Sequence, residues 1–142
     1  MDNIMKKNFH ETDLQIIFKH WALGNETKNG CQFTGGFELK ISKGKTLPFS
    51  KFQPQQLPAL KRTKHATLYH KMSDVDPNIK PYDCIVLYKE AAYAVIMFNK
   101  DTQEGQHKFY LIGIDEVYKL KTAGKRSISE TDCLDKGITV VF

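Results

Sequence analysis

The chain has 142 residues, of which 41% are hydrophobic and 11% aromatic, and a formal net charge of +5. This composition predicts one globular domain, residues 1–142, with a hydrophobic core of its own. Cys31, Cys84 and Cys133 are odd in number and form no C-x-x-C pair, which argues against a disulfide framework and a zinc knuckle. No apolar run approaches the roughly 18 residues of a membrane span. We therefore expect a soluble, cytoplasmic protein with no membrane partner.

The first strong pattern predicts a helix from about His10 to Leu23, ended by Gly24. Four apolar residues at 3-4-3 spacing form its buried stripe: Leu14, Ile17, Phe18 and Trp21. Glu11 falls on the same stripe and should face the edge of the core. Two roles stay open for Glu11, namely a capping box with Asn8 and a place in or beside a metal site.

The next element is a half-buried strand from Gly36 to Ser42, in which apolar residues alternate with polar ones. Because side chains alternate between the two faces of a strand, Glu38 and Lys40 should share one face, about 7 Å apart. A carboxylate and an ammonium group in an E-x-K pattern suit metal binding and phosphate positioning at one bond. The pattern alone is also typical of a solvated strand face, so its surroundings must decide.

Those surroundings are strongly basic. Between Thr27 and Ser73, Glu38 is the single acidic residue. The same stretch holds nine basic residues: Lys28, Lys40, Lys43, Lys45, Lys51, Lys61, Arg62, Lys64 and Lys71. A field of one sign around an isolated carboxylate favours a polyanion whose phosphates meet the lysines, although a solvated lysine-rich surface is the simpler alternative.

Residues 50–63 have helical character, and Ser50 and Gln53 have the spacing of a capping box. Pro58 should kink this helix or move its start toward Gln55. Further strands are predicted at 66–71, 84–88, 93–98, 108–112 and 138–142, with helices at 115–120 and 127–135. The strands at 84–88 and 93–98 have the form of a hairpin turning near residues 89–92. Strands mixed with helices predict an α/β or α+β fold around a central mixed sheet.

The runs Phe37-Glu38-Leu39-Lys40, Leu47 to Phe52 and Gln55-Gln56-Leu57 resemble RecU-type Holliday junction resolvases, which belong to the PD-(D/E)XK nuclease superfamily. Later runs, at residues 93–98, 109–112 and 124–128, resemble the closing strands and the Lys/Arg-Ser-Ile segment of that family. The similarity spans roughly residues 9–130 and is strongest to phage-encoded versions. It implies a restriction-endonuclease-like core, with a mixed sheet flanked by helices, and a host cell infected by a phage or bearing a prophage.

One feature departs from the family, which places a Pro-Asp strand before E-x-K. Residues 24–37 contain neither aspartate nor proline. Pro81-Tyr82-Asp83 leads into an apolar run downstream, so we infer that the acid has moved to Asp83. That hypothesis requires Glu38 and Asp83 on neighbouring strands, within reach of one cation. Alternatively, Asp83 only opens a strand after a proline turn.

What the resemblance implies is hydrolysis of DNA phosphodiester bonds, with Glu38 and Asp83 holding Mg²⁺, or Mn²⁺ in its place. Lys40 would stabilise charge on water and phosphate, Gln56 would lie beside the metal, and Glu11 would assist. Helix-surface polarity is the alternative for Gln56. A further set of basic residues would contact phosphates: Lys43, Lys45, Lys51, Lys61, Arg62, Lys64 and Arg126.

Three classes of function remain open at this stage. The first is a metal-dependent resolvase that acts on four-way DNA junctions as a homodimer, because two symmetric nicks need two sites. The second is a nuclease-fold protein that binds DNA without cutting it. The third is a phage-encoded inhibitor or interaction protein that uses the basic face on a host complex.

Overall fold

A computed structural model describes residues 9–29, 34–73, 79–99 and 107–142, with the backbone alone for residues 25–29. The predicted α+β fold with a mixed central sheet is confirmed. Four strands form that sheet in the order β1-β5-β6-β8. Their bounds are Gly35–Ser42 for β1, Ala91–Phe98 for β5, Lys108–Gly113 for β6 and Ile138–Val141 for β8. β1 runs parallel to β5, and the other two pairs are antiparallel.

Helices cover both faces of the sheet, so β5 and β6 are buried on both sides. α1 (Glu11–Asn29) packs on one face, where Leu14 contacts a cluster that includes Val95 and Phe109. The helices on the other face are α2 (Gln56–His65), α3 (Ile114–Thr122) and α4 (Glu130–Lys136). Ala94 and Ile96 of β5 point toward this second layer. The odd and even residues of one central strand thus enter two separate cores.

Two small two-stranded sheets complete the described part of the chain. β2 (Thr46–Pro48) pairs with β7 (Ser127–Ser129), and β3 (Thr67–Lys71) pairs with β4 (Cys84–Tyr88). A short 3₁₀ helix, Phe49–Lys51, follows β2. No helix among the described residues combines the length and the apolar character needed to cross a membrane.

The first helix differs from its prediction at both ends. α1 continues through Gly24 to Asn29, because a glycine inside a helix costs only about 1 kcal/mol relative to alanine. At the start, the carboxylate of Asp13 accepts a hydrogen bond of 2.8 Å from the backbone N–H of His10. Asn8, the predicted cap, lies outside the described residues.

The second predicted helix is divided. Residues 49–51 form the 3₁₀ helix, and α2 begins at Gln56. Pro58 therefore lies in the first turn of α2, where a backbone N–H would have no partner within the helix. The prediction that Pro58 shifts the start of the helix toward Gln55 is confirmed. The capping box from Ser50 to Gln53 does not form.

The predicted hairpin between residues 84–88 and 93–98 is wrong. β4 pairs with β3, whereas β5 lies between β1 and β6. The burial of each strand explains the difference. β5 is apolar on both faces and belongs at the centre, whereas β4 alternates between exposed and half-buried residues, as a peripheral strand does. Lys89 has a left-handed φ of 50°, which separates the two strands.

The predicted helix at residues 127–135 begins three residues late. Ser127–Ser129 is the strand β7, and α4 starts at Glu130. Ser129 and Asp132 form a capping box, in which each side chain accepts a hydrogen bond of 3.0 Å from the backbone N–H of the other. This box fixes the start of α4.

Replacing Gly35 with alanine should destabilise the fold by about 1–3 kcal/mol, as overpacking of a close contact does. A methyl group there would overlap the carbonyl oxygen of Ala91 on the paired strand. Gly44→Ala is the matched control, since nothing lies within 4 Å of its added carbon. Urea unfolding of both variants measures the difference. Equal free energies of unfolding would contradict the pairing of β1 with β5 at this end.

Candidate active site

Glu38 and Lys40 lie on the same face of β1, as the alternation predicted. Lys40 Nζ is 3.2 Å from Glu38 Oε1, and their side chains are only 11% and 24% exposed. Their partners in the sheet register are Ala94 and Ile96, which belong to the core beneath α2. The ion pair is thus held on an edge strand, between the sheet and the helical layer.

Gln56, at the start of α2, is joined directly to this pair. Its Nε2 donates a hydrogen bond of 2.7 Å to Glu38 Oε1. Its Oε1 accepts one of 2.8 Å from the backbone N–H of Gln53. Both polar atoms of the Gln56 amide therefore have partners. Because Oε1 accepts from a backbone N–H, it is Nε2 that faces the Glu38 carboxylate. Glu38 Oε1 is thus the common partner of Lys40 Nζ and Gln56 Nε2.

Phe52 completes the surroundings of the Lys40 ammonium. Its ring is buried, and Lys40 Nζ lies 5.8 Å from the ring centroid, within cation–π range. Removing an ammonium group from water is costly unless an opposite charge and hydrogen bonds replace the solvent. Glu38 supplies that charge. The arrangement holds one negative and one positive group at fixed positions with limited access to water.

A cavity of about 360 Å³ opens beside Glu38, between β1, α2 and β3. Ten residues line it: Gly36, Phe37, Glu38, Gln55, Gln56, Ala59, Leu60, Thr63, Leu68 and His70. Glu38 and His70 are its two titratable groups. The sequence did not single out His70, although the alternation of β3 could have indicated that His70 and Leu68 share a face.

Asp83 does not lie on a strand next to β1, so that requirement of the relocated-acid hypothesis is not met. It precedes β4, which pairs with β3 in a separate sheet. Its side chain is 88% exposed, and its carboxylate lies 3.2 Å from Lys80 Nζ. Its carbonyl oxygen accepts a hydrogen bond from Met72 N at the end of the hairpin. The hairpin borders the cavity through His70, but the Asp83 carboxylate is directed to Lys80.

Glu11 is exposed in the first turn of α1, so the prediction that it faces the core edge is wrong. α1 packs on the face of the sheet that carries Phe37 and Leu39, whereas Glu38 points to the other face. The structure therefore does not bring Glu11 together with Glu38.

The predicted phosphate-binding residues differ in their surroundings. Lys43 and Lys51 are exposed and line a second cavity of about 360 Å³ at the end of β1. Lys64 instead binds Asp115, and Lys61 Nζ lies 4.6 Å from the ring centroid of Tyr118. The remaining three are exposed: Lys45, Arg62 and Arg126.

Asp115 connects α2 with α3. Its two carboxylate oxygens bind Lys64 Nζ at 2.5 Å and His65 Nε2 at 2.6 Å. These hydrogen bonds, first from Lys64 and then from His65, lower the pKa of Asp115 below its usual value. The contact spans about 50 residues of sequence, so no local pattern could have predicted it.

A metal site built wholly from protein side chains is absent from the described part of the chain, in which no three His, Cys, Asp or Glu residues are grouped to hold an ion. The Glu38 carboxylate is a hard oxygen donor of the kind Mg²⁺ prefers. Mg²⁺ in phosphate chemistry is commonly bound through one or two carboxylates, with substrate phosphates and water filling the other positions. Glu38 fits that pattern.

Comparison of the chain with models of known protein families, with curated proteins and with solved structures found no match.

A double-mutant cycle on Glu38→Ala and Lys40→Met should give a coupling free energy of about 1–3 kcal/mol. Glu38→Ala alone leaves a desolvated ammonium group without its counter-charge, and adding Lys40→Met removes that cost. The four proteins would be compared by urea unfolding.

The matched control is a cycle on Glu116→Ala and Lys119→Met, an ion pair of the same residue types, 3.0 Å apart, on the exposed side of α3. Its coupling should be below about 0.5 kcal/mol. Equal couplings in the two cycles would contradict the desolvated character of the Glu38–Lys40 pair.

Asp115→Asn should destabilise the protein at neutral pH by less than about 1 kcal/mol, because the bridge is partly exposed and screened by solvent. The folded pKa of Asp115 is lowered, so its stabilising charge is fully present above the unfolded value of about 3.9 and is lost as the pH falls below it. The difference between wild type and variant should shrink in that acid range. A difference that is independent of pH would contradict the bridge.

Proposed function

We propose that this protein is a metal-dependent DNA endonuclease whose active site is built on Glu38, Lys40 and Gln56. The observation that carries the proposal is the convergence of these three side chains at a partly desolvated point of an otherwise basic stretch. The mixed sheet flanked by helices is compatible with the nuclease core that the sequence resemblance implies.

Each residue has a distinct role in the proposed reaction. The Glu38 carboxylate would hold the cation, Mg²⁺ or Mn²⁺, which would supply charge stabilisation and an activated water when bound. Lys40 places a positive charge where negative charge develops on the phosphate. Gln56 keeps the carboxylate in position through its 2.7 Å hydrogen bond. Asp83 does not lie on a strand next to β1, so substrate phosphate and water would fill the remaining positions around the cation.

The nucleic acid would be held by the exposed basic residues around the site. Lys43 and Lys51 line the cavity at the end of β1, the strand that carries Glu38. Arg126 lies near them, since its carbonyl oxygen accepts a hydrogen bond of 3.0 Å from Phe49 N. Such residues contact phosphates without reading sequence, which suits a nuclease that recognises DNA by shape. The specific substrate we propose is a four-way DNA junction, and the protein would cut it as a homodimer.

Binding to DNA without cleavage is the second candidate function, and one observation favours it. Lys40 and Gln56 already satisfy one Glu38 oxygen, and the Asp83 carboxylate is directed to Lys80. In such a protein the ion pair would be structural and the basic field alone would bind DNA.

Wild-type protein should nick a labelled four-way junction in Mg²⁺ and not in EDTA, with less cutting of linear duplex or single strands. Glu38→Gln and Lys40→Met should each lower the rate by about 10²-fold or more, the usual effect of removing one group that stabilises the transition state. Asp83→Asn should leave the rate nearly unchanged, because the Asp83 carboxylate pairs with Lys80 beside a separate sheet.

Glu116→Gln and Lys119→Met are the controls for charge, and both should leave the rate unchanged. Folding of each variant would be checked by circular dichroism. Junction binding without nicking in wild type, unaffected by Glu38→Gln, would reject the endonuclease and support the second candidate.

A further inference from the structure

The cavity beside Glu38 differs chemically from the basic surface around it. None of the described residues that line it is a lysine or an arginine, although the surrounding stretch is rich in lysine. Its volume of about 360 Å³ lies at the lower end of the range for small-ligand pockets. A site for a phosphate would place cations at its walls. The cavity is instead suited to an uncharged part of a ligand.

The walls combine apolar side chains with polar hydrogen-bonding groups, and the Glu38 carboxylate lies among them. Leu60 is buried at the base, and Ala59 and Leu68 are half-buried at the sides. Gln55 and His70 are exposed, the first immediately before α2 and the second on β3. An amide and an imidazole can each donate and accept hydrogen bonds. Flat apolar contact with polar groups at the margin is the combination that holds a nucleobase.

The backbone of β1 forms the remaining side. β1 is the outermost strand of the central sheet, and residues Gly36 to Glu38 border the cavity. A side-chain carbon at Gly36 would meet Leu60 and Thr63 at 3.4 Å, an ordinary van der Waals contact, so β1 and α2 pack directly against each other here. The cavity is therefore continuous with the position of the Glu38 carboxylate.

We propose that this cavity binds an unpaired nucleobase next to the phosphate that Glu38 and Lys40 act on. The inference rests on the proposed function for its ligand class, and it adds a criterion for the substrate. A base paired within a duplex cannot enter such a cavity without leaving its stack, whereas a mismatched, bulged or single-stranded base can enter at lower cost. Selectivity for DNA structure would then arise at the cavity itself.

The test compares two DNA duplexes in EDTA, where metal-dependent cleavage does not interfere. One carries a single unpaired thymidine, and the other carries an abasic nucleotide at the same place. Fluorescence anisotropy should show about 5- to 100-fold tighter binding of the first, as the stacking of one base on a protein provides. Phosphate contacts are equal in the two duplexes and cancel in the ratio.

Two variants locate the base. Ala59→Phe should fill the cavity, and His70→Ala should remove a polar side chain from its lining. Each variant should therefore bring the ratio of the affinities for the two duplexes toward one. The matched control is Tyr69→Ala, because Tyr69 is adjacent to His70 on β3 but its side chain is 64% exposed on the outer face of the hairpin. Tyr69→Ala should leave the ratio unchanged.

A wild-type ratio of one would overturn the proposal. So would a ratio that survives both cavity variants, or one that only Tyr69→Ala abolishes. Because His70 is exposed, its replacement should not prevent folding, which thermal unfolding would confirm. Nicking with a ratio of one would reject the nucleobase cavity alone, whereas a ratio above one without nicking would reject the endonuclease alone.

Discussion

The arrangement of the proposed site depends on one ion pair, Lys40 with Glu38, held at 3.2 Å where water has little access. A desolvated ammonium group must keep its counter-charge, so β1 must pair with β5 in the register that places both side chains toward α2. The same requirement gives Gln56 its position, because α2 has to begin where the glutamine amide reaches the carboxylate. Lys43, Lys45, Lys51 and Arg62 remain exposed and able to meet an anion, whereas Lys64 is bound to Asp115.

Local periodicity predicted the parts of the molecule that depend on local geometry. The shared face of Glu38 and Lys40 follows from alternation along one strand, and the late start of α2 follows from the restriction that Pro58 places on a helix. The pairing of strands could not be predicted in this way. β4 and β5 are adjacent in sequence, yet β5 is apolar on both faces and takes the centre of the sheet, leaving β4 to pair with β3.

Only some residues of the site could be predicted, because the positions of the others depend on strand pairing and packing between distant parts of the chain. Gln56 was identified from a resemblance in sequence, and the structure joins it to Glu38. Asp83 was identified from its Pro-x-Asp context, which does not determine which strand it lies beside, and its carboxylate meets Lys80. His70 was missed because a single histidine on an exposed strand carries no motif. Its place at the cavity depends on the packing of β3 against α2, a contact between distant parts of the chain.

The proposed endonuclease reaction requires Glu38 to bind a divalent cation when DNA is bound. The most direct measurement is Mn²⁺ binding, followed by electron paramagnetic resonance, to the protein mixed with a four-way junction made resistant to cleavage by phosphorothioate linkages. We expect a bound Mn²⁺ signal that requires both protein and junction and that disappears in Glu38→Gln. Mn²⁺ binding that is unchanged in Glu38→Gln, or no binding beyond that of the DNA alone, would contradict it.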